Sequence, residues 1–395
     1  MRRVYLDNNA TTPVLPGVLD EMRPYFGEHF GNASSIHHFG QDARAAVEQA
    51  RESVAALLGS KPAEIVFTSG GTEADNLAIA GLVSPGEHII TSRIEHHAVF
   101  NTCQHFEHAG CEVTYLPVDS RGLIDPEDVR RALRPNTKLI SLMLANNETG
   151  VLQPLEEVGK IATEAEVYFH TDAVQAAGKV PVNVDGLACD LLSISGHKIH
   201  APQGVGALYV RRGTRLQPLF YGGRHERSRR AGTENVPGIV GLGKAAELAL
   251  EGLKRGDDRK MAAERDRLQA ALLAAVEECG VNGDTAPRVP NTTSIYFDHV
   301  EGEAMVIAFD LKGLAISTGA ACSSGAIEPS HVLIAMGLSP DRARASIRFS
   351  LGKQTTKEDI DFVLALVPET VARLRELSPS YKKPNATRDL LGARS

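Results

Sequence analysis

The chain has 395 residues, long enough to bury about three quarters of its unfolded surface without a disulfide or metal staple. Lys+Arg is 42 against Asp+Glu 49, a formal charge of −7, which argues against a broad nucleic-acid surface. There is no Trp, aromatics are 5%, and no apolar run reaches the roughly 18 residues of a membrane helix, so neither an aromatic base-stacking platform nor a membrane span is expected.

The N-terminal Val4-Tyr5-Leu6-Asp7-Asn8 turns polar too soon for a secretory signal. From about residue 60 to 210, apolar runs rich in Val, Ile and Leu alternate with helical patterns. Glu64-Ile65-Val66-Phe67-Thr68 reads as a strand and Thr72 to Leu82 as a helix. Further strands are expected at His88–Thr91, Glu112–Val118, Lys138–Leu144, Val167–Thr171, Leu191–Ser195 and Gly206–Val210, with helices such as Pro126–Leu133 and Pro154–Ala165 between them. Strands this apolar, alternating with helices, predict an α/β fold on a mostly parallel sheet covered on both faces.

Composition shifts near residue 250. Asp257 to Glu278 reads as one amphipathic helix with Met261, Leu268, Leu272 and Val276 near one face. A strand (Thr293–Phe297), a helix (Glu303–Leu311), a strand (Leu314–Ser317), a Gly/Ser-rich loop (Thr318–Gly325), a helix from Pro329 and a strand (Ala345–Leu351) follow. A last helix opens at Thr355-Thr356-Lys357-Glu358, which reads as a capping box. These elements predict a second, smaller α+β unit and a polar tail beyond it.

Ser195-Gly196-His197-Lys198 follows a buried strand. Desolvation and nearby cations lower a lysine's pKa and make its amine a nucleophile. Lys198 therefore reads either as a Schiff-base lysine for pyridoxal phosphate, with Ser195 and His197 at the phosphate, or as a solvated lysine at a polar strand exit. His170-Thr171-Asp172-Ala173-Val174-Gln175 also ends a strand. Asp172 fits the carboxylate that keeps a pyridine nitrogen protonated, and Gln175 fits a donor to the ring oxygen. The other reading of Asp172 is a helix cap.

Thr68-Ser69-Gly70-Gly71-Thr72 has a strand–turn–helix pattern that suits a phosphate cradle or a plain turn. It is not a Walker A loop, because no Gly-Lys-Ser/Thr follows. In Glu95-His96-His97, His96 taken alone reads as a solvated or satisfied histidine, one of 14 in the chain, and only beside the other segments as one placed for ring stacking or proton transfer near neutral pH. Arg348, in an apolar strand, wants a carboxylate: a substrate's or an internal Asp or Glu.

The five cysteines are odd in number and lack CxxC spacing, so no disulfide framework or zinc site is expected and a reducing cytoplasm is. Cys103, Cys111, Cys189 and Cys279 lie in apolar or amphipathic surroundings. Cys322 alone lies among Gly, Ala and Ser, which predicts an exposed, reactive thiol.

Together, Thr68–Asn76, Glu95-His96, Asn146–Gly150, His170–Gln175, Ser195–Lys198, Arg230–Thr233 and Thr318–Glu328 resemble the group I (NifS/IscS-type) cysteine desulfurases, which use pyridoxal phosphate, over about residues 4 to 378. The resemblance implies a fold-type I transferase: a large domain (15–255) on a mostly parallel seven-stranded sheet, and a smaller α+β domain (1–14 and 256–378), followed by a tail (379–395). It implies a cytoplasmic homodimer that converts L-cysteine to L-alanine and passes the sulfur to an acceptor or iron–sulfur scaffold protein. Lys198 would bind the cofactor and carry protons, Asp172 would pair the ring nitrogen, His96 would stack on the ring and Gln175 would contact its oxygen. Gly71, Thr72, Ser195 and His197 would hold the phosphate, with Thr233 from the partner subunit. Asn147 and Arg348 would hold the substrate carboxylate. Cys322 would accept the sulfur and touch a cluster only during transfer, the enzyme holding no metal of its own. Gly71 and Ser323 stand where many relatives have Ala and Thr. A selenocysteine lyase, another class V enzyme, or a sulfur-delivery scaffold without activity are the competing readings.

Overall fold

The structure, a computed structural model, describes residues 2–318, 328–379 and 381. Among the described residues there are twelve strands: β1 (Val4–Tyr5), β2 (Ile65–Thr68), β3 (His88–Ser92), β4 (Glu112–Leu116), β5 (Thr137–Ser141), β6 (Tyr168–Asp172), β7 (Leu191–Ser195), β8 (Gly206–Val210), β9 (Cys279–Val281), β10 (Thr292–Phe297), β11 (Leu314–Ala315) and β12 (Ser346–Ser350).

Seven of them make one sheet in the order β2-β8-β7-β6-β5-β3-β4. The five strands β4, β3, β5, β6 and β7 run parallel, whereas β8 lies antiparallel to both β7 and β2. The period-two alternation of each strand feeds two cores. Ile65, Phe67, Leu192, Ala207 and Tyr209 point to one face, where the helices His38–Leu58 and Val236–Arg255 pack. Val66, Leu191 and Leu208 point to the other, against Gly71–Ala80 and His97–His108. Both faces are thus dry, which is why β3, β7 and β8 tolerate no exposed position. Because the parallel strands share a direction, the residues that follow β3, β6 and β7 emerge along one edge.

A further core joins Val4 and Leu6 to Leu268, Leu272, Phe297, Met305, Ile347, Phe349 and Val363. It is built on the antiparallel sheet β12-β10-β9 and the parallel pair β1-β11. Asp7 bridges to Ser350, which ties the chain's first segment to β12.

Two expectations need correction. The helix expected over Asp257–Glu278 ends at Ala275, because Cys279–Val281 leaves it to pair antiparallel with β10. The last helix, Lys357–Leu377, is opened by a capping box between Thr356 and Asp359, one residue beyond the expected one.

Candidate active site

The turn after β2, the segment after β3 and the ends of β6 and β7 converge on a cavity of about 370 Å³. This is within the usual size range of small-molecule sites. Lys198 sits on the short turn Gly196–Lys198 that leaves β7. Its Nζ donates to the backbone oxygens of Asn9 at 2.6 Å and Ala10 at 2.7 Å. Burial, then the Arg348 cation, lowers its pKa to about 8. A partly buried amine with a lowered pKa suits a nucleophile better than it suits a solvated surface lysine.

Asp172 is the last residue of β6 and is buried. Its Oδ1 accepts the Val174 N–H at 2.8 Å, but no helix follows, so the helix-cap reading falls away. Burial raises its pKa to about 6, against the lowering pull of the Val174 N–H and the Lys198 cation. A cationic ring nitrogen placed beside it would relieve that cost. Deeper in the wall lies Asp75, buried, with an Oδ1 that lacks a hydrogen-bond partner. Burial, then the Asp172 charge, holds Asp75 well above the usual carboxylate range.

The same cavity is lined by the start of the helix Gly71–Ala80, with Gly71 and Thr72 beside Ser195 and His197. A helix N-terminus offers backbone N–H groups to an anion. The chain approaches closely here: a Cβ on Gly71 would come within 2.8 Å of Val174 Cγ2 and 3.4 Å of Ser195 Cβ. His197 pairs through Nδ1 with Thr11 Oγ1 at 3.2 Å, and burial lowers its pKa to about 4, so it is neutral at pH 7.

His96 caps the helix His97–His108, its Nδ1 accepting the Ala98 N–H at 3.1 Å. That bond commits the neutral ring to carrying its proton on Nε2. Part of its ring is open to solvent. Desolvation by the cavity wall, then the Lys198 cation, still brings its pKa down to about 4. Gln175 is buried and donates from Nε2 to the Asn9 oxygen at 2.9 Å.

Arg348 lies in β12 and reaches the cavity from the smaller core. Both of its readings leave a trace. Nη2 pairs with Asp7 Oδ1 at 2.6 Å and Nη1 donates to the Asn147 oxygen at 2.9 Å, while the buried Nε has no partner. Asn147 lines the same cavity.

Thr233 does not line this cavity and is exposed. It follows Arg230, which is ion-paired at 2.9 Å with Glu73 in the first turn of the helix Gly71–Ala80. Cys322 and Ser323 lie outside the described residues. Of the other cysteines, Cys103, Cys111 and Cys189 are buried and Cys279 is partly so. Burial raises all four thiols, Cys103 and Cys189 to about 12.

Sequence reasoning named no role for Asn9, although its oxygen receives both Lys198 and Gln175. It also passed over Asp75, whose one signal is a carboxylate between Ala74 and Leu77 on the apolar side of a helix. Pyridoxal phosphate fits the arrangement. A helix start that can bind an anion, a buried carboxyl and a low-pKa amine line one cavity.

The family description Aminotransferase class-V matches residues 4–363. A protein of Nostoc sp. named cysteine desulfurase is 54% identical over 382 residues, 96% of this chain and 95% of its own. The cysteine desulfurase IscS of Dictyoglomus turgidum is 50% identical over 386 residues, 97% of this chain and 98% of its own. A solved structure titled NifS-like protein superposes with a TM-score of 0.87 at 38% identity, covering 94% of this chain and all of its own.

Proposed function

This chain belongs to the aminotransferase class-V family, and we propose that it acts as a pyridoxal-phosphate-dependent cysteine desulfurase through the cavity of Lys198 and Asp172. The observation that carries this reading is the meeting of a low-pKa lysine, a buried carboxyl and a helix start in one cavity. The cofactor, when bound, supplies an electron sink for the electrons released at the substrate's α-carbon.

The chain's own residues do the rest. Lys198 would hold the cofactor and would carry the α-proton on its amine. Asp172 would keep the ring nitrogen protonated. The helix start at Gly71 and Thr72, with Ser195 and His197, would hold the phosphate. His96, neutral, would cover the ring and offer Nε2–H to the reacting groups. Gln175 would donate to the ring oxygen. Arg348 and Asn147 receive the carboxylate of L-cysteine. Arg348 brings a buried guanidinium to that task, with Nε unengaged and Asp7 as the carboxylate it must release or share.

The sulfur goes to Cys322. Its thiolate attacks the substrate sulfur, the carbon–sulfur bond breaks as the sulfur–sulfur bond forms, and the carbon takes a proton to become L-alanine. Cys322 is left as a persulfide for transfer to an acceptor protein, an iron–sulfur scaffold in the first instance. The four described cysteines are free and held as thiols, which suits a reducing cytoplasm and leaves the nucleophile's part to Cys322.

We read the active form as a homodimer. Phe26, Phe30, Ile36 and Phe39 are exposed, as are Phe220 and Tyr221 ahead of Thr233, and exposed apolar clusters of this kind mark interfaces. The segment that carries Thr233 also holds three buried polar atoms without partners, His225 Nδ1, Arg229 Nη1 and Glu234 Oε2.

The test is to load the protein with pyridoxal phosphate and supply L-cysteine with a thiol acceptor. Equal amounts of L-alanine and transferred sulfur support the reading. Keto-acid formation by transamination without sulfur release, or no turnover at all, overturns it.

A further inference from the structure

Lys179 is absent from every role assigned above, yet its Nζ is held by two residues of the site cavity, Gln175 and Asn9. Its Nζ donates to Gln175 Oε1 at 2.6 Å and to Asn9 Oδ1 at 3.1 Å. The cations nearest to it in effect are Lys198 and Arg348, so it has amide oxygens for company in an electropositive corner. Burial, then those two charges, depresses its pKa well below the ordinary lysine range. A lysine kept in such a place needs a reason other than stability.

The hydrogen bonds supply one. An amide side chain has a donor end and an acceptor end, and its orientation is set by its partners. Gln175 Nε2 donates to the Asn9 backbone oxygen at 2.9 Å, and Oε1 receives Lys179. Flipping the amide would set oxygen against the Asn9 oxygen and N–H against the Lys179 donor. Asn9 is itself fixed, because its Nδ2 donates to the Asn147 oxygen at 3.1 Å and to Thr292 Oγ1 at 2.9 Å. Its Oδ1 is therefore the acceptor that faces Lys179. Nε2 has two hydrogens, and Asn9 takes one. The second is left for the cavity that Gln175 lines.

The Asn9 oxygen alone is a shared anchor, since Lys198 also donates to it at 2.6 Å. That bond must break whenever Lys198 turns to the cofactor. Lys179 is the partner of Gln175 that does not move with the chemistry.

We propose that Lys179 is a positioning residue that locks the Gln175 amide with its N–H toward the cofactor's ring oxygen. The proposal rests on the reading that pyridoxal phosphate occupies this cavity attached to Lys198. An N–H on the ring oxygen stabilises its anionic form. Losing it makes that oxygen more basic, so the adjoining nitrogen, which joins Lys198 to the cofactor, holds its proton more tightly.

The experiment is a spectroscopic pH titration of the bound chromophore in the wild type, Lys179→Met, Gln175→Ala and the double variant. Lys179→Arg, which keeps a donor, serves as the rescue. Lys179→Met is expected to raise the titration midpoint by about one pH unit, the scale of a charged or directed partner lost within contact range. Gln175→Ala should raise it similarly, the double variant should raise it no further, and Lys179→Arg should stay near the wild type. An unchanged midpoint in Lys179→Met overturns the proposal. Full additivity in the double variant also overturns it, because Lys179 would then act by charge alone. If Lys179→Met does not fold, the Lys179→Arg and Gln175→Ala arms decide: a midpoint for Lys179→Arg as far displaced as that for Gln175→Ala counts against the lock. A wild-type protein that takes up no chromophore fails the underlying cofactor reading, and this is seen before any variant is compared.

Discussion

Lys198 Nζ donates to the Asn9 backbone oxygen at 2.6 Å, which ties the amine after β7 to a segment 189 residues earlier in the chain. With a second bond to the Ala10 oxygen, the ammonium form is held by acceptors while burial and Arg348 push it toward neutrality. Burial and Arg348 win, and the pKa falls to about 8. Only the neutral amine attacks a carbonyl. The rate at which cofactor-free protein captures pyridoxal phosphate should therefore rise with pH through about 8 and then level off. Stopped-flow absorbance measures this. A rate still climbing steeply at the usual lysine pKa of about 10.4 would show that Lys198 is not perturbed. Lys198→Ala should take up no covalently bound chromophore and show no activity.

Asp172→Asn should keep the cofactor and lose most activity. The amide cannot hold the ring nitrogen's proton by charge, so the ring is a poorer electron sink. A loss on the order of 10²-fold in kcat is expected, the scale for one directed partner removed from a dry site. Steady-state kinetics with L-cysteine reads it. Near-normal kcat would reduce Asp172 to its bond with the Val174 N–H.

Which parts were legible before the fold was known follows from how local their causes are. Leu191–Ser195 declares itself by an apolar run, interrupted by Ser193 and stopping at Ser-Gly, and the strand has those bounds. Asp172 and Lys198 could be picked out because a charge at the end of a buried strand is locally anomalous. Asn9 and Lys179 could not, since their work is done by partners far along the chain or by an amide's orientation. The end of the helix at Ala275 was hidden for a similar reason: pairing of Cys279–Val281 with β10 overrides a helical pattern that continues in sequence. Arg348 was read as wanting a carboxylate. That its partner is Asp7, from the opposite end of the chain, needed the structure.

Arg348→Lys should raise the KM for L-cysteine by roughly 10- to 100-fold with a smaller change in kcat, the range of a hydrogen bond to a charged group. A lysine cannot present two parallel donors to a carboxylate. Asp7→Asn should act in the opposite sense on KM, because it frees Arg348 from its present ion pair. If KM is unmoved in both variants, Arg348 is an internal strut and not part of the substrate site.

Arg51 and Glu226 form a buried, two-pronged ion pair, with both bonds at 2.8 Å. Glu226 also accepts the Phe67 N–H, and it begins a run of left-handed residues with φ of 44°, 55° and 65° through Ser228. Such backbone is strained and persists only where neighbours hold it. Arg51→Met should destabilise the protein by roughly 3–5 kcal/mol, because it leaves the Glu226 carboxylate buried and alone. Adding Glu226→Gln should recover part of that loss. Chemical unfolding measures both, and a change under about 1 kcal/mol, typical of an exposed pair, would contradict the burial argument.

Cys322→Ser should keep the bound chromophore and still change its spectrum on adding L-cysteine, yet release no sulfur. A hydroxyl is a poor nucleophile toward sulfur, and none of the cavity residues that hold the cofactor is altered. The four described cysteines should each be replaceable by Ser or Ala with turnover largely intact. Their thiols are raised by burial and line no part of the cavity, although the loss of buried Cys103 or Cys189 has a packing cost. Brief exposure of the wild type to L-cysteine, quenching by alkylation and peptide mass spectrometry should place one added sulfur on Cys322. Persulfide on Cys103, Cys111, Cys189 or Cys279 instead, or full turnover by Cys322→Ser, would move the nucleophile elsewhere. The sulfur-transfer step would then have to be rebuilt around that residue, with the cofactor cavity of Lys198 and Asp172 left standing.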